Sequence, residues 1–235
     1  MLCLSTNSNL TTSEMSKTVI ITGASGNLGR AVVNFFLNKN WFVIALVNPN
    51  GVNPYRNDSQ LVSYAVDVPD EKSVMNFMSE ISEKHPEINA AIMLVGGYAP
   101  GNIAITDAGL IHRMIDLNFY SAYHISRMLF NQMKNQQSGN LIFIGSNPAT
   151  DISAAAGSLA YALSKSLLYK LSDVMNFEGK KHNIKSKIIV PGTIDTPQNR
   201  MAMPEADFSK WQKPEDIAER IYNAINSETE NVIVI

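Results

Sequence analysis

Thr18-Val19-Ile20-Ile21-Thr22-Gly23-Ala24-Ser25-Gly26-Asn27-Leu28-Gly29 joins two signals in one short stretch. Residues 18–22 are all β-branched, a composition that favours a buried strand. Glycines then stand at every third position, and residues 30–37 carry apolar side chains at helical spacing. Glycine permits a tight turn and lets another group approach the backbone closely. The helix that follows presents unbonded N–H groups and a partial positive charge. A strand, a glycine turn and a helix in that order form a cradle for a pyrophosphate, so the expected ligand is a dinucleotide.

Strand and helix signals alternate outward from this stretch. Apolar runs at 41–47, 61–66, 90–95, 140–144, 187–190 and 231–235 read as strands. Residues 71–84, 107–118 and on to about 134, 159–178 and 214–226 carry helical spacing. That alternation predicts an α/β fold: one doubly wound parallel sheet of the Rossmann type, in a single domain over residues 17–235. Residues 1–16, rich in Ser, Thr and Asn, are expected to be a disordered tail, with Met15 as the natural start.

Composition excludes several function classes. The 235-residue chain is 45% hydrophobic and 17% charged, with a formal net charge of −2, so it lacks the basic excess of a nucleic-acid binder. Its apolar runs are far shorter than the roughly 20 residues of a membrane-spanning helix. Cys3 is the single cysteine, and His85, His112, His124 and His182 lack ligand spacing, so no metal site is expected. The expected setting is cytoplasmic, with a small-molecule substrate and neither nucleic acid nor membrane as partner.

Tyr161 and Lys165 lie four residues apart within the helical stretch 159–178, on one helix face. A phenol titrates near 10 when free, and an adjacent ammonium is expected to bring it toward neutral pH, where it can act as an acid. Together with the glycine turn, this pair resembles the short-chain dehydrogenase/reductase family. The resemblance runs from Lys17 through nearly the whole chain. It implies catalytic roles for Asn118, Ser146, Tyr161 and Lys165. Asn118 would support a proton relay, and Ser146 would bind the substrate oxygen.

The same resemblance implies a cofactor site of Gly23, Ser25, Gly26, Asn27, Leu28, Gly29, Asn48, Asp67, Val68, Gly96, Gly97, Pro191, Gly192, Ile194 and Thr196, with Tyr161 and Lys165 reaching the nicotinamide ribose. An acid at the end of the second strand would select NAD, and Val47-Asn48 supplies none. NADP is therefore the expected cofactor and NAD the alternative, with Arg30 and Arg56 as candidate partners of a 2′-phosphate. The gap from Ser146 to Tyr161 is two residues longer than is usual in the family, which implies an insertion.

Residues 195–211, Asp195-Thr196-Pro197-Gln198-Asn199-Arg200-Met201-Ala202-Met203-Pro204-Glu205-Ala206-Asp207-Phe208-Ser209-Lys210-Trp211, are similar to the corresponding loop of quinonoid dihydropteridine reductases. Those enzymes have no serine at the Ser146 position and carry the NAD-selecting acid. The expected activity is thus hydride transfer between nicotinamide and a carbonyl or alcohol. Reduction of a quinonoid dihydropterin is the alternative, and a non-catalytic dinucleotide sensor the second. A homodimer or homotetramer is expected through residues 121–134 and 159–178, on the apolar side chains Ala160, Leu163, Leu167 and Leu168.

Overall fold

The computed structural model describes residues 16–227 and 230–235. Apart from Ser16, the expected tail and the start at Met15 lie outside them. Strands β1 (Thr18–Thr22), β2 (Phe42–Val47), β3 (Leu61–Ala65), β4 (Ala90–Met93), β5 (Gly139–Ile144), β6 (Ile184–Val190) and β7 (Val232–Val234) form one sheet. Its order is β3-β2-β1-β4-β5-β6-β7, and every neighbouring pair is parallel. The helices are α1 (Asn27–Asn38), α2 (Glu71–Lys84), α3 (Ala108–Ile115), α4 (Ser121–Gln136), α5 (Ile152–Ala155), α6 (Leu159–Gly179), α7 (Pro197–Ala202) and α8 (Pro214–Ile225).

Each face of the sheet has its own core, because strand side chains alternate in direction. In β1, Ile20 joins the core beneath α2, α4 and α6, while Val19 and Ile21 join the core beneath α1 and α8. Fully buried Phe36, Ile81 and Leu129 anchor α1, α2 and α4 to their cores, each stabilising the fold by roughly 1.5–3 kcal/mol. The doubly wound parallel sheet is therefore the fold.

The chain leaves β1 toward β2 and β3, then returns to β4 and winds the other way. That reversal opens a crevice at the carboxyl ends of β1 and β4. Backbone pairing of these strands ends at Thr22 and Met93, after which the Thr22 hydroxyl accepts the Leu94 N–H at 3.0 Å.

β6 begins at Ile184, three residues before the start expected from its apolar run. The polar residues that hid this start are buried with partners. Ser186 bonds the Ser172 hydroxyl at 2.8 Å and the Asn176 side chain. Lys187 Nζ donates to the Ala224 and Ser227 carbonyls, both at 2.7 Å, and so satisfies the carboxyl end of α8. The helices expected around 107–118 and on to about 134 are joined without a loop. A π turn at Asp116–Tyr120 separates α3 from α4 and contains the fully buried Asn118.

Candidate active site

The glycine turn is shaped by missing side chains. Gly23 has φ +63°, a left-handed conformation that suits glycine. A Cβ on Gly29 would stand 2.1 Å from the Gly23 carbonyl oxygen, so only glycine lets α1 start this close to β1. Gly26 caps α1 without a side-chain hydrogen bond, which keeps the first N–H groups of the helix unblocked by any cap. Tyr55 supports the turn from outside by donating to the Ala24 carbonyl at 2.7 Å. Burial pushes its phenol up to about 12, so it remains a donor. Arg30 Nε donates to the Ser25 carbonyl at 2.9 Å.

A cleft of about 300 Å³ opens beside this turn. Gly23, Ser25, Gly26, Asn48, Asp67, Val68 and Gly96, all expected from the sequence, line it together. Val47 lines it too, and Leu46, Val66, Leu94, Val95 and Leu117 add apolar surface that was not expected from the sequence. Asp67 is the one charged side chain among the lining residues. Asp70 and not Asp67 caps α2, accepting the Lys72 and Ser73 N–H groups. The Asn48 side chain is engaged in its own turn, accepting the Asn50 N–H at 2.8 Å. Asn27, Leu28 and Gly29 form the first turn of α1 behind the glycine turn.

The second cluster joins β5, α6 and the π turn. Asn118 Oδ1 accepts the Gly97 N–H at 2.8 Å, and Nδ2 donates to the Gly97 carbonyl at 3.0 Å and Ser164 Oγ at 2.9 Å. Lys165 is buried and its Nζ donates to the Ile144 carbonyl at 2.8 Å. A Cβ on Gly96 would lie 2.7 Å from Asn118 Oδ1 and 3.3 Å from Lys165 Nζ, so these three positions meet where the cleft ends. Burial lowers the Lys165 ammonium to about 8.

Tyr161 departs from its expected direction. Burial raises the phenol, the nearby Ser146 hydroxyl opposes that shift, and Tyr98 adds to it. The Lys165 ammonium, bonded to the Ile144 carbonyl, is not among the groups that draw the phenol down. Tyr161 therefore keeps its proton at neutral pH and is suited to donate it. Ser146 Oγ is buried and lies close enough to the Tyr161 hydroxyl to oppose its shift, yet it forms no well-aligned hydrogen bond among the described residues. The longer Ser146–Tyr161 segment folds as a 3₁₀ turn at Asn147–Ala149, then α5 capped by Asp151.

Tyr98, part of the stretch Gly96-Gly97-Tyr98-Ala99-x-Gly101 that also resembles the dihydropteridine reductases, was not among the expected site residues. Its ring meets Tyr161 edge-on at 5.2 Å, and the loop that carries it is fastened to the start of α6 by hydrogen bonds at Gly101. Its contact with Tyr161 could not be read from that stretch, because the two residues are far apart in the chain.

Pro191, Gly192, Ile194 and Thr196 lie in the loop after β6, outside the cleft lining. The Thr196 hydroxyl is buried and accepts the Asn199 N–H as the cap of α7. The Ile194 carbonyl accepts Asn199 Nδ2, and Gln212 receives the Gly192 N–H. Arg200 grips Asp195 at 2.6 and 2.8 Å and covers the Phe208 ring, which packs on Trp211. The loop thus braces itself, leaving Met201 strongly exposed. Asn27 Nδ2 donates to Gln198 Oε1 at 3.0 Å, linking this loop to the glycine turn.

The family model described as short chain dehydrogenase matches residues 17–207. A dihydropteridine reductase of Dictyostelium discoideum is 30% identical over 226 residues, 92% of this chain and 90% of that protein. Oxidoreductase UcpA of Salmonella typhimurium is 24% identical over 214 residues, 89% of this chain and 80% of that protein. Among solved structures, ElxO with NADP bound has a TM-score of 0.81 at 22% identity, covering 94% of this chain and 97% of that one. A short-chain dehydrogenase from Streptomyces avermitilis has a TM-score of 0.81 at 19% identity, covering 95% and 89%.

Proposed function

The chain belongs to the short-chain dehydrogenase family, and on that premise we propose that it is a nicotinamide-dependent oxidoreductase acting on a carbonyl or its alcohol. The observation that carries this reading is Ser146 Oγ, a buried hydroxyl with no well-formed hydrogen bond, within reach of a Tyr161 phenol that keeps its proton. A buried polar atom without a hydrogen bond is costly, and a substrate oxygen would satisfy it.

A dinucleotide fits the residues present. The uncapped start of α1, the glycine turn, and the bare Gly96 next to Lys165 leave backbone surface where a phosphate and a ribose could approach. A dihydronicotinamide held there would supply the hydride for the substrate carbon. Tyr161 donates its proton to the substrate oxygen, and Ser146 Oγ donates a hydrogen bond to the same atom. The Lys165 ammonium, charged below about pH 8 and held on the Ile144 carbonyl, stands beside Gly96, where a ribose could approach. Asn118 holds both polar groups of the Gly97 backbone and the Ser164 hydroxyl, keeping the cleft floor and α6 in register.

NADP is the preferred cofactor in this reading. No acid stands at Val47-Asn48 to repel a 2′-phosphate. Arg30 is anchored to Ser25 and its charge reaches the Tyr55 phenol, on the side of the turn toward the loop after β2. A second reading, reduction of a quinonoid dihydropterin, is favoured by the Dictyostelium discoideum relative.

We further propose that the domain of residues 17–235 works in the cytoplasm as a homodimer or homotetramer. Among the described residues no helix is long and apolar enough to cross a membrane. Ala160 and Leu168 are buried in the protomer, so they leave the set expected at the subunit contact. Leu163, Leu167, Val174 and the 87%-exposed Phe177 remain on the surface of α6. A sedimentation mass equal to the 25.9 kDa chain would count against assembly.

The deciding experiment follows oxidation of NADPH and NADH with quinonoid dihydropterin and with a panel of ketones, aldehydes and quinones. Turnover on carbonyls with little on the pterin supports the first reading. Efficient pterin turnover alone replaces it with the second.

A further inference from the structure

α6 reaches the end of β5 at three positions four residues apart, Tyr161, Lys165 and Tyr169. Lys165 holds the Ile144 carbonyl, and Tyr169 Oη donates to the Ser146 carbonyl at 3.2 Å. Between those carbonyls stands Gly145, whose N–H makes a bond to the Ile189 carbonyl of β6 at 2.8 Å. A Cβ on Gly145 would lie 2.8 Å from Tyr169 Oη and 2.5 Å from Ile188 Cγ2, so the glycine is what admits the phenol.

Beyond Gly145 the main chain leaves the sheet, and Ser146 has no strand neighbour to set its direction. Its carbonyl accepts the Ala149 N–H at 3.1 Å as well as the Tyr169 hydroxyl, so both lone pairs are engaged. Its Oγ forms no well-aligned hydrogen bond and has only the Tyr161 hydroxyl beside it to influence its direction. The orientation of Oγ is therefore inherited chiefly from the backbone, and the backbone is held by Tyr169. Burial raises the Tyr169 phenol, and Tyr161 raises it further, which keeps the donor protonated.

We propose that Tyr169 is the positioning residue for Ser146, fixing the main chain from which the serine hydroxyl meets the substrate oxygen. The proposal rests on the carbonyl reading above. In the full chain, Tyr169→Phe removes one hydrogen bond, worth roughly a five- to tenfold loss of kcat on the preferred carbonyl. Cofactor affinity should not change. On a Ser146→Ala background the same substitution should alter kcat by less than about twofold, because the group it acts through is gone. An equal loss in both backgrounds overturns the proposal.

A second measurement needs no turnover. In a Cys3→Ser, Ser146→Cys variant, iodoacetamide labels the single thiol at a rate set by local opening. Adding Tyr169→Phe should raise that rate roughly five- to tenfold with an unchanged thermal midpoint. An unchanged rate overturns the proposal. Absence of wild-type carbonyl turnover would sink the carbonyl reading instead, while the labelling rate still judges the hold of Tyr169 on Ser146.

Discussion

The glycine turn and the end of β5 solve opposite problems. At the turn, close approach is achieved by omission: Gly23, Gly26 and Gly29 keep side chains out of the space where α1 meets β1. At the end of β5, position is achieved by contact: Ser146 is held by Ala149 and by Tyr169 on α6. The first region follows from local backbone geometry. The second depends on residues far apart in the chain. Substitutions should therefore fail differently in the two places, sterically at the turn and chemically at β5.

The largest effect is expected from Tyr161→Phe, which touches only the second region. Removal of a general acid typically costs 10²–10⁴ in rate, so kcat should fall roughly a thousandfold. Cofactor binding, read by fluorescence titration, should stay intact. A parallel loss of binding would show that the two regions are not separable.

Gly29→Ala tests the opposite side. Its Cβ meets backbone atoms that cannot rotate away, the nearest at 2.1 Å. A destabilisation of about 1–3 kcal/mol in urea unfolding is expected, together with weakened dinucleotide binding. Unaltered stability would mean that α1 can shift freely. A smaller effect is expected at Arg30→Ala. Loss of a charge-assisted contact should raise the Kd for NADPH roughly tenfold and leave NADH unaffected. Equal effects on both cofactors would remove Arg30 from the 2′-phosphate site.

Lys165 sharpens the comparison through pH. Burial lowers it from its ordinary 10.5 to about 8. Between those values the unfolded chain holds more protons at this site than the folded one, so its contribution to stability rises with pH across that window. Below about 8 both states are charged and the contribution is flat. The unfolding free energy of wild type minus that of Lys165→Met should climb from about pH 8 to about pH 10.5. A flat difference would contradict the burial argument. The smallest effect belongs to Asp195→Asn. Its pair with the exposed Arg200 lies at the surface of the loop, with Asp195 partly buried, and its loss should move the substrate KM about twofold or less, with kcat unchanged.

Much of this was legible in the sequence. β-branched runs, glycine spacing and helical periodicity are local properties, and they carried the sheet, the turn and the one-sided pair Tyr161 and Lys165. The polar start of β6 was hidden, because Lys187 and Ser186 look like surface residues until their buried partners are known. The π turn that holds Asn118 was hidden too, since a one-residue widening leaves no trace in apolar spacing.

Sequence alone therefore determined the doubly wound class, the place of the glycine turn and the residues that could do chemistry. Those depend on backbone freedom and side-chain type, which each residue carries with it. Only the tertiary structure decided the direction of the Tyr161 shift, the lack of a well-formed hydrogen bond at Ser146 Oγ, and the hold of Tyr169 on its backbone. Desolvation and hydrogen bonding are properties of what surrounds a group, and folding brings those surroundings from distant parts of the chain.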